Sequence, residues 1–492
     1  MKKFLVILAV LMFSLAVVSA CNNNDAPAPA PGQDPVTGDN VTPTPPDTPA
    51  PPTQQVGRLG DNQGVHEPRD FGGRTLTIGS WWQDPIGTWL WTEPEPDAMN
   101  YALLRMMWEN ARRVEREFNV RFDQVQVPSA EFLSNLATSV VAGEPMADIV
   151  FLNGTMQLEA MGSVIRPFNS SAMGDGRGLM GSQDFAGPIT LDENGNIWAI
   201  NYHSVIGDAF ILGVNLDIID AEGLPNPVEL YEAGEWTWDA MLDIMRRATR
   251  DTDGDGVIDQ FGIGGQPGDI AQHLIGANDG IMVDANLNYG FDHPHSIRAL
   301  EFVEQIFHEQ LWSPEAGGIM DTSNWDRNFF AWNREANIVF SPMVTWGLND
   351  VPPTFEFAAV PFPMGPDNTS GNTWLTGMRQ GICAVVGSSW DIDDIVIIID
   401  ELFSWPGDYP GILFAAGQID WLRETFLTPG DVSRAVQAGL SSATDVGRDV
   451  AQYYWILGYF VEQFWNREMD VMQAIEYFRG PRQEMLDRRF RQ

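Results

Sequence analysis

From residue 71 onward the chain alternates two kinds of segment: short apolar runs bounded by glycine, proline or aspartate, and longer stretches whose apolar residues return every three or four positions. The first kind reads as buried strand and the second as amphipathic helix, and their alternation predicts an α/β fold with mostly parallel sheets. Residues 75–79 read as an opening strand after the Gly72-Gly73 turn, and Leu103, Met107, Ala111, Val114 and Phe118 mark a helix over 100–118. A strand over 120–127, a helix over 130–141 and a strand over 147–151 follow. Further strands are expected at 197–201, 209–214, 338–341, 357–360 and 380–386, and helices at 238–249, 296–310, 392–403, 412–416 and 450–469. A single core stops growing at about 250–300 residues. A chain of 492 residues is therefore expected to fold as two lobes.

The first 64 residues are of another character. Lys2 and Lys3 precede an almost unbroken apolar run over 4–18, and Val18-Ser19-Ala20 sets small residues before Cys21. The run is shorter than the ~20 residues a membrane-spanning helix needs, so residues 1–20 read as a cleaved export signal with a lipidation box. Cys21 becomes the acylated first residue of the mature chain, and more than one acyl chain suffices for stable anchoring. Residues 21–64 hold ten prolines between Pro27 and Pro52 and no aromatic residue, a composition that cannot bury a core. They read as an extended stalk. The other cysteine, Cys383, lies in an apolar run and reads as a small buried hydrophobe on a strand.

Charge narrows the partners. Against 67 acidic residues stand 28 Lys+Arg, a net charge of −39, and the only lysines are Lys2 and Lys3. Such a field repels phosphate backbones and argues against nucleic acid as a partner. A neutral or cationic small ligand fits it better.

Readable site chemistry is concentrated after the 238–249 helix, in Asp251-Thr252-Asp253-Gly254-Asp255-Gly256-Val257-Ile258-Asp259. Carboxylates at loop positions one, three and five, glycine at six, a carbonyl at seven and an acid at nine match most of an EF-hand calcium loop. Position twelve is Gly262, where that loop needs a bidentate glutamate. Asp251, Asp253, Asp255, Val257 and Asp259 are thus candidate ligands of a structural Ca²⁺; the alternative is a solvated acidic turn that holds no ion. Tryptophan is the second signal: there are 18, with Trp82, Trp346 and Trp374 beside expected strand ends, where open α/β sheets bind ligands. Flat apolar faces flanked by Asp, Asn and Arg suit sugars. None of the six histidines has metal-ligand spacing, and there is no nucleophile elbow, phosphate loop or dinucleotide fingerprint. The chain therefore reads as a binder and not an enzyme. The alternative from another class is a cell-surface glycoside hydrolase, which needs only two suitably spaced carboxylates.

The order of short motifs resembles the family 1 extracellular solute-binding proteins of ABC importers, which are maltose-binding-protein-like. It runs through Thr75-Leu76-Thr77-Ile78-Gly79, Ala147-Asp148-Ile149-Val150, Gly195-Asn196-Ile197-Trp198-Ala199, Gly213-Val214-Asn215-Leu216-Asp217, Glu235-Trp236-Thr237-Trp238-Asp239, Ala336-Asn337-Ile338-Val339-Phe340 and Val360-Pro361-Phe362-Pro363-Met364-Gly365. The resemblance implies a two-lobed periplasmic-binding-protein fold of type II with a hinge, the first lobe spanning 65–203 and 364–405 and the second 207–360 and 408–492. Crossings are expected near 202–209 and 361–365. It further implies ligand residues at Trp82, Asp84, Asn153, Tyr202, Trp346, Trp374 and Arg379. Its functional implication is a monomeric receptor on the extracellular face of the membrane, held by its lipid anchor, that passes a small solute, a mono- or oligosaccharide, to ABC permease subunits. Asn201-Tyr202 departs from the Pro-Tyr common in relatives, and Leu152 stands where the maltose binder has a stacking tryptophan, so the maltose pocket is not reproduced.

Overall fold

The computed structural model describes residues 66–81, 90, 92–96, 101–153, 160, 162–169, 188–190, 196–201, 210–284, 286, 288–313, 331–334, 336–344, 348, 351–373, 380–403, 428, 430–434, 460–464 and 466–490. All of them lie in the unit Val56–Gln492. In chain order the elements are β1 (Arg74–Ser80), α1 (Tyr101–Glu117), β2 (Val120–Gln126), α2 (Ser129–Val141), β3 (Ile149–Asn153), β4 (Ile165–Arg166), β5 (Pro188–Thr190), β6 (Ile197–Asn201) and β7 (Phe210–Asn215). Then come α3 (Leu216–Ala221), α4 (Pro227–Ala233), α5 (Trp238–Ala248), β8 (Phe261–Ile263), α6 (Pro267–Gly276), α7 (Pro294–His308) and α8 (Ala331–Arg334). The chain continues through β9 (Ile338–Val344), β10 (Phe357–Val360), β11 (Gln380–Val385), α9 (Ile392–Phe403) and α10 (Val471–Phe490).

The strands form two sheets. One has the order β2-β1-β3-β11-β6-β5, with β4 added on β11; the other is β10-β7-β9-β8. The expectation of mostly parallel sheets is corrected. β1 runs parallel to β2 and β3, and β8 to β9, whereas β11 is antiparallel to β3, β4 and β6, and β7 is antiparallel to β9 and β10. β7 and β11, the strands that follow the crossings, each run against all their neighbours, and β5 adds a further antiparallel pair with β6.

The first sheet is buried on both faces, and its sequence shows how. In β3, Ile149 and Phe151 join one apolar cluster while Val150 and Leu152 join another; in β11, Ile382 and Ala384 take the first side and Cys383 and Val385 the second. Successive side chains on a strand point to opposite faces. On one side Met107, Ala111, Val114 and Phe118 from α1 and the turn after it, with Ile395, Ile398, Ile399 and Leu402 of α9, cover the sheet; on the other Phe132 and Leu136 of α2 do so. Cys383 is fully buried on β11, and burial pushes its thiol far above the ordinary range. The second lobe has one large cluster in which α5, α6 and α7 pack against its sheet. Local signals set its helix starts: Asn215 caps α3 by accepting from Ile218 N, Asn226 caps α4 before Pro227, and Thr237 accepts from Ala240 N at α5. Burying each such apolar side chain contributes about 1.5–3 kcal/mol.

Of the expected helices, 412–416 lies outside the described residues, and of 450–469 residues 460–464 are helical and 466–469 form a turn; α3, α4, α6, α8 and α10 are helices that the pattern did not announce. Among the described residues no helix is long and apolar enough to cross a membrane.

Candidate functional site

The register of the first sheet gathers one edge. β1 ends at Ser80, a fully buried residue whose Oγ accepts from Gln124 Nε2 at 3.2 Å, and the half-buried Trp81 follows it. β3 runs parallel to β1 and ends at Asn153. Antiparallel pairing sets Gln380, the first residue of β11, opposite Asn153, and Gly381 opposite Asn201, the last residue of β6. Ser80, Asn153, Asn201 and Gln380 therefore share the carboxyl edge of the parallel strands, the side on which open α/β sheets bind ligands.

The second sheet has a matching edge. Phe210, which opens β7, pairs with Val344, which closes β9, and β8 runs parallel to β9. β6 belongs to the first sheet and β7 to the second, so the chain passes between them over 202–209, leaving one edge and entering the other. Residues 361–370 stay bound to the second lobe: Met364 N donates to Trp236 O at 3.1 Å, Gly365 N to Ala277 O at 3.0 Å, and Asp279 Oδ2 accepts from Thr369 N and Ser370 N. The return to β11 thus falls within 371–379, beyond the expected 361–365. Both crossings join the same two edges.

Of the expected ligand residues, Trp82, Asp84, Tyr202, Trp346, Trp374 and Arg379 lie outside the described residues. Asn153 is the last residue of β3, and its side chain is likewise outside. The sequence reading missed the turn that leads from β8 into α6. Gly265 there has φ +91°, and a Cβ on it would stand 2.9 Å from Pro342 Cδ, so only glycine fits; Trp312 Nε1 donates to its carbonyl at 3.0 Å. The turn delivers the half-buried Gln266 and the N-terminus of α6 to the second edge. The signal was available in Gly264-Gly265-Gln266-Pro267, a strand stop followed by proline at the first helical position.

Behind that edge sits His273 of α6, with ring centroids 4.7 Å from Phe210 and 4.6 Å from Phe362. Its Nδ1 lies 2.6 Å from Asp269 O and so carries the proton; Nε2 is buried with no hydrogen-bond partner among the described residues. Burial lowers the imidazole pKa to about 4, which keeps the ring neutral.

The aspartate loop is built as a turn of carboxylates that accept backbone N–H groups. Asp251 Oδ1 accepts from Gly254 N at 2.6 Å and its Oδ2 from Gly256 N at 2.7 Å, and these donors, Gly256 first, hold its carboxyl below the usual range. Asp259 accepts from Thr252 N at 2.9 Å. Oxygens of Asp251, Asp253 and Asp259 lie within 4.8 Å of one another, as ligands of one cation must. Asp255 is not in that group; its Oδ1 takes Val257 N at 2.7 Å, and the Val257 side chain is exposed. Position twelve is glycine for a packing reason, since a Cβ on Gly262 would meet Met245 Cα at 2.7 Å.

The sheet order and the double crossing define a two-lobed α/β binding-protein fold. Solved structures share it. UspC of Mycobacterium tuberculosis superposes with a TM-score of 0.55 at 16% identity, covering 84% of this chain and 100% of its own. An ABC substrate-binding protein of Listeria monocytogenes in complex with cycloalternan gives 0.53 at 15%, covering 84% and 98%. The maltodextrin-binding domain MalE of Bdellovibrio bacteriovorus, bound to maltotriose, gives 0.53 at 12%, covering 85% and 100%. No protein-family profile matches the sequence, and no curated protein matches it. The fold is thus the one used by maltose-binding-protein-like solute-binding proteins.

Proposed function

We propose that the protein is a family 1 extracellular solute-binding protein, lipid-anchored through Cys21, that captures a mono- or oligosaccharide by closing its lobes and delivers it to an ABC permease without covalent chemistry. The observation that carries this reading is the pair of strand edges, one in each sheet, between which the chain passes twice. Ser80, Asn153, Asn201 and Gln380 line one of them, and Phe210 and Val344 the other. In sequence, Trp82, Asp84, Tyr202, Trp346 and Arg379 each stand within four residues of these positions, and Trp374 precedes the return into β11. Tryptophan faces would stack on sugar rings while Asp84, Asn153 and Arg379 hydrogen-bond hydroxyls. That the fold's sugar-binding examples include complexes with cycloalternan and maltotriose supports the carbohydrate class.

The aspartate loop in this reading holds a structural Ca²⁺ through Asp251, Asp253 and Asp259, with the Val257 carbonyl and water completing the shell and Asp255 reorienting to join it. The clustering of three carboxylates supports it. Chelation is expected to lower the melting temperature and Ca²⁺ to restore it.

A thermal-shift screen of the chain from Val65 against mono- and oligosaccharides tests the function. A sugar present at 100-fold over its dissociation constant stabilises the folded state by about 2.7 kcal/mol. A hit recovered chemically intact is the expected result. A hit that is consumed would instead make the protein a hydrolase, and silence across the library would remove the sugar assignment.

A further inference from the structure

The C-terminal helix is anchored in both lobes. Its first half belongs to the second lobe: Val471, Ala474 and Ile475 are part of that lobe's apolar core, and Phe478 packs against it. Tyr289 fixes this half by donating its hydroxyl to Ile475 O at 3.3 Å. Further along, Gln483 Oε1 accepts Tyr289 N at 2.8 Å, so the pinning continues past the middle of the helix. The last turns belong elsewhere. Leu486, 2% exposed, is part of the apolar cluster of the first lobe together with Phe132 and Leu136 of α2 and Val150 of β3, and Met485 packs against the same cluster. Val283, on the short antiparallel pairing with Tyr289, packs against both cores and seals the joint.

Between the apolar anchors, Phe478 in the second lobe and Leu486 in the first, lies Gly480-Pro481, which the Gln483–Tyr289 hydrogen bond spans. Proline inside a helix removes one backbone donor and crowds the preceding turn, so the helix has its weakest point here. A Cβ on Gly480 would meet nothing within 4 Å, so packing does not require glycine at this position. What glycine supplies is backbone freedom.

We infer that α10 is a strut between the lobes: it sets their separation through Leu486 and yields at Gly480-Pro481 when the lobes rotate. The chain also passes between the two sheets over 202–209 and 371–379. A helix is stiff, and Ile475 and Leu486 are about 17 Å apart along it at 1.5 Å per residue. Rotation of one lobe must therefore either draw Leu486 out of its cluster or bend the helix between its anchors. The inference concerns the lobes alone and is independent of which solute the cleft takes.

Spin labels on the two lobes test it without any ligand. Val141, 88% exposed at the end of α2, and Asp243, 62% exposed on α5, are replaced by cysteine in the full chain carrying Cys21→Ser, and the buried Cys383 is left in place. Electron–electron distance distributions are then compared with Leu486→Ala and Gly480→Ala added. Leu486→Ala frees the helix end and is expected to broaden the distribution; Gly480→Ala stiffens the pivot at no steric cost and is expected to narrow it. Should Leu486→Ala fail to fold, the Gly480→Ala arm decides alone. Distributions that superimpose on the parent's overturn the strut.

Discussion

The two lobes hold their interiors together by different proportions of the same chemistry, charge pairs weighing more in the first and aromatic rings in the second. In the first, α9 carries two fully buried acids, Asp400 and Glu401. Arg113 of α1 reaches Glu401 Oε2 at 2.7 Å and Glu117 at 2.8 Å, and Asn110 Nδ2 donates to Glu401 O at 2.9 Å. His66, where the described chain begins, donates its backbone N–H to Glu401 and sets Nε2 2.9 Å from Asp400 Oδ2. In the second lobe the interior is a set of rings: Trp238 lies 4.6 Å from Phe302 and 3° from coplanar, Trp236 packs on Phe340, and His273 fills the space between Phe210 and Phe362. Both lobes bury an ion pair, the second holding Arg434 and Asp431 2.6 Å apart against Ala359 of β10, but the second adds a base that must stay uncharged. The paired charges of the first lobe also fasten residues 66–69 to it, Arg69 adding a bond to Asp394, at the point where the proposed stalk would meet the fold.

The largest expected effect breaks the first kind of interior. Arg113→Met leaves Glu401 buried without its guanidinium and is expected to cost about 3–5 kcal/mol in urea unfolding. A loss below about 1 kcal/mol would mean that the pair does not sustain the lobe. Next is acid. His273 has its pKa lowered from 6.5 to about 4, so the unfolded chain binds its proton first; stability from this group is complete above pH 6.5 and is lost as pH falls toward 4. The loss is about 3 kcal/mol. His273→Phe should flatten that part of the stability–pH curve, while an unchanged curve would place the acid sensitivity elsewhere. Gly262→Ala drives a methyl against Met245 and is expected to cost about 1–3 kcal/mol by overpacking, read as a lowered urea midpoint. Smallest is Arg246→Ala, which removes an exposed pair with Glu309 at 2.6 Å; it should cost less than about 1 kcal/mol and fade further with salt.

Most expected elements were legible in the sequence, including the buried β10 and α9, which fall at their expected bounds. β1, α1, β2 and α2 lie within a residue of the expected bounds, because their apolar positions repeat at a definite period. β3 was expected two residues early: it is buried on both faces, so Ile149-Val150-Phe151-Leu152 shows no alternation from which to read an end. α6 is buried along its whole length and shows no helical stripe, and α10 is interrupted by Gly480-Pro481. Pairing direction is illegible for another reason. Nothing in Gln380–Val385 states that it runs against β3; the crossing that feeds it decides that. The aspartate loop was legible as a motif, but the turning of Asp255 toward Val257 N is set by local hydrogen bonds. For the cleft, the sequence marks aromatic and polar residues beside strand ends, while the register Asn153 with Gln380 and Phe210 with Val344 that assembles two edges is a tertiary property.

The central claim is that two lobes close on an intact sugar. Its most direct measurement is small-angle X-ray scattering of the protein with and without the saccharide that gives the largest thermal shift, followed by mass analysis of that saccharide. A smaller radius of gyration with the sugar unchanged is the result predicted here. An unchanged radius, or a sugar converted to products, would contradict it.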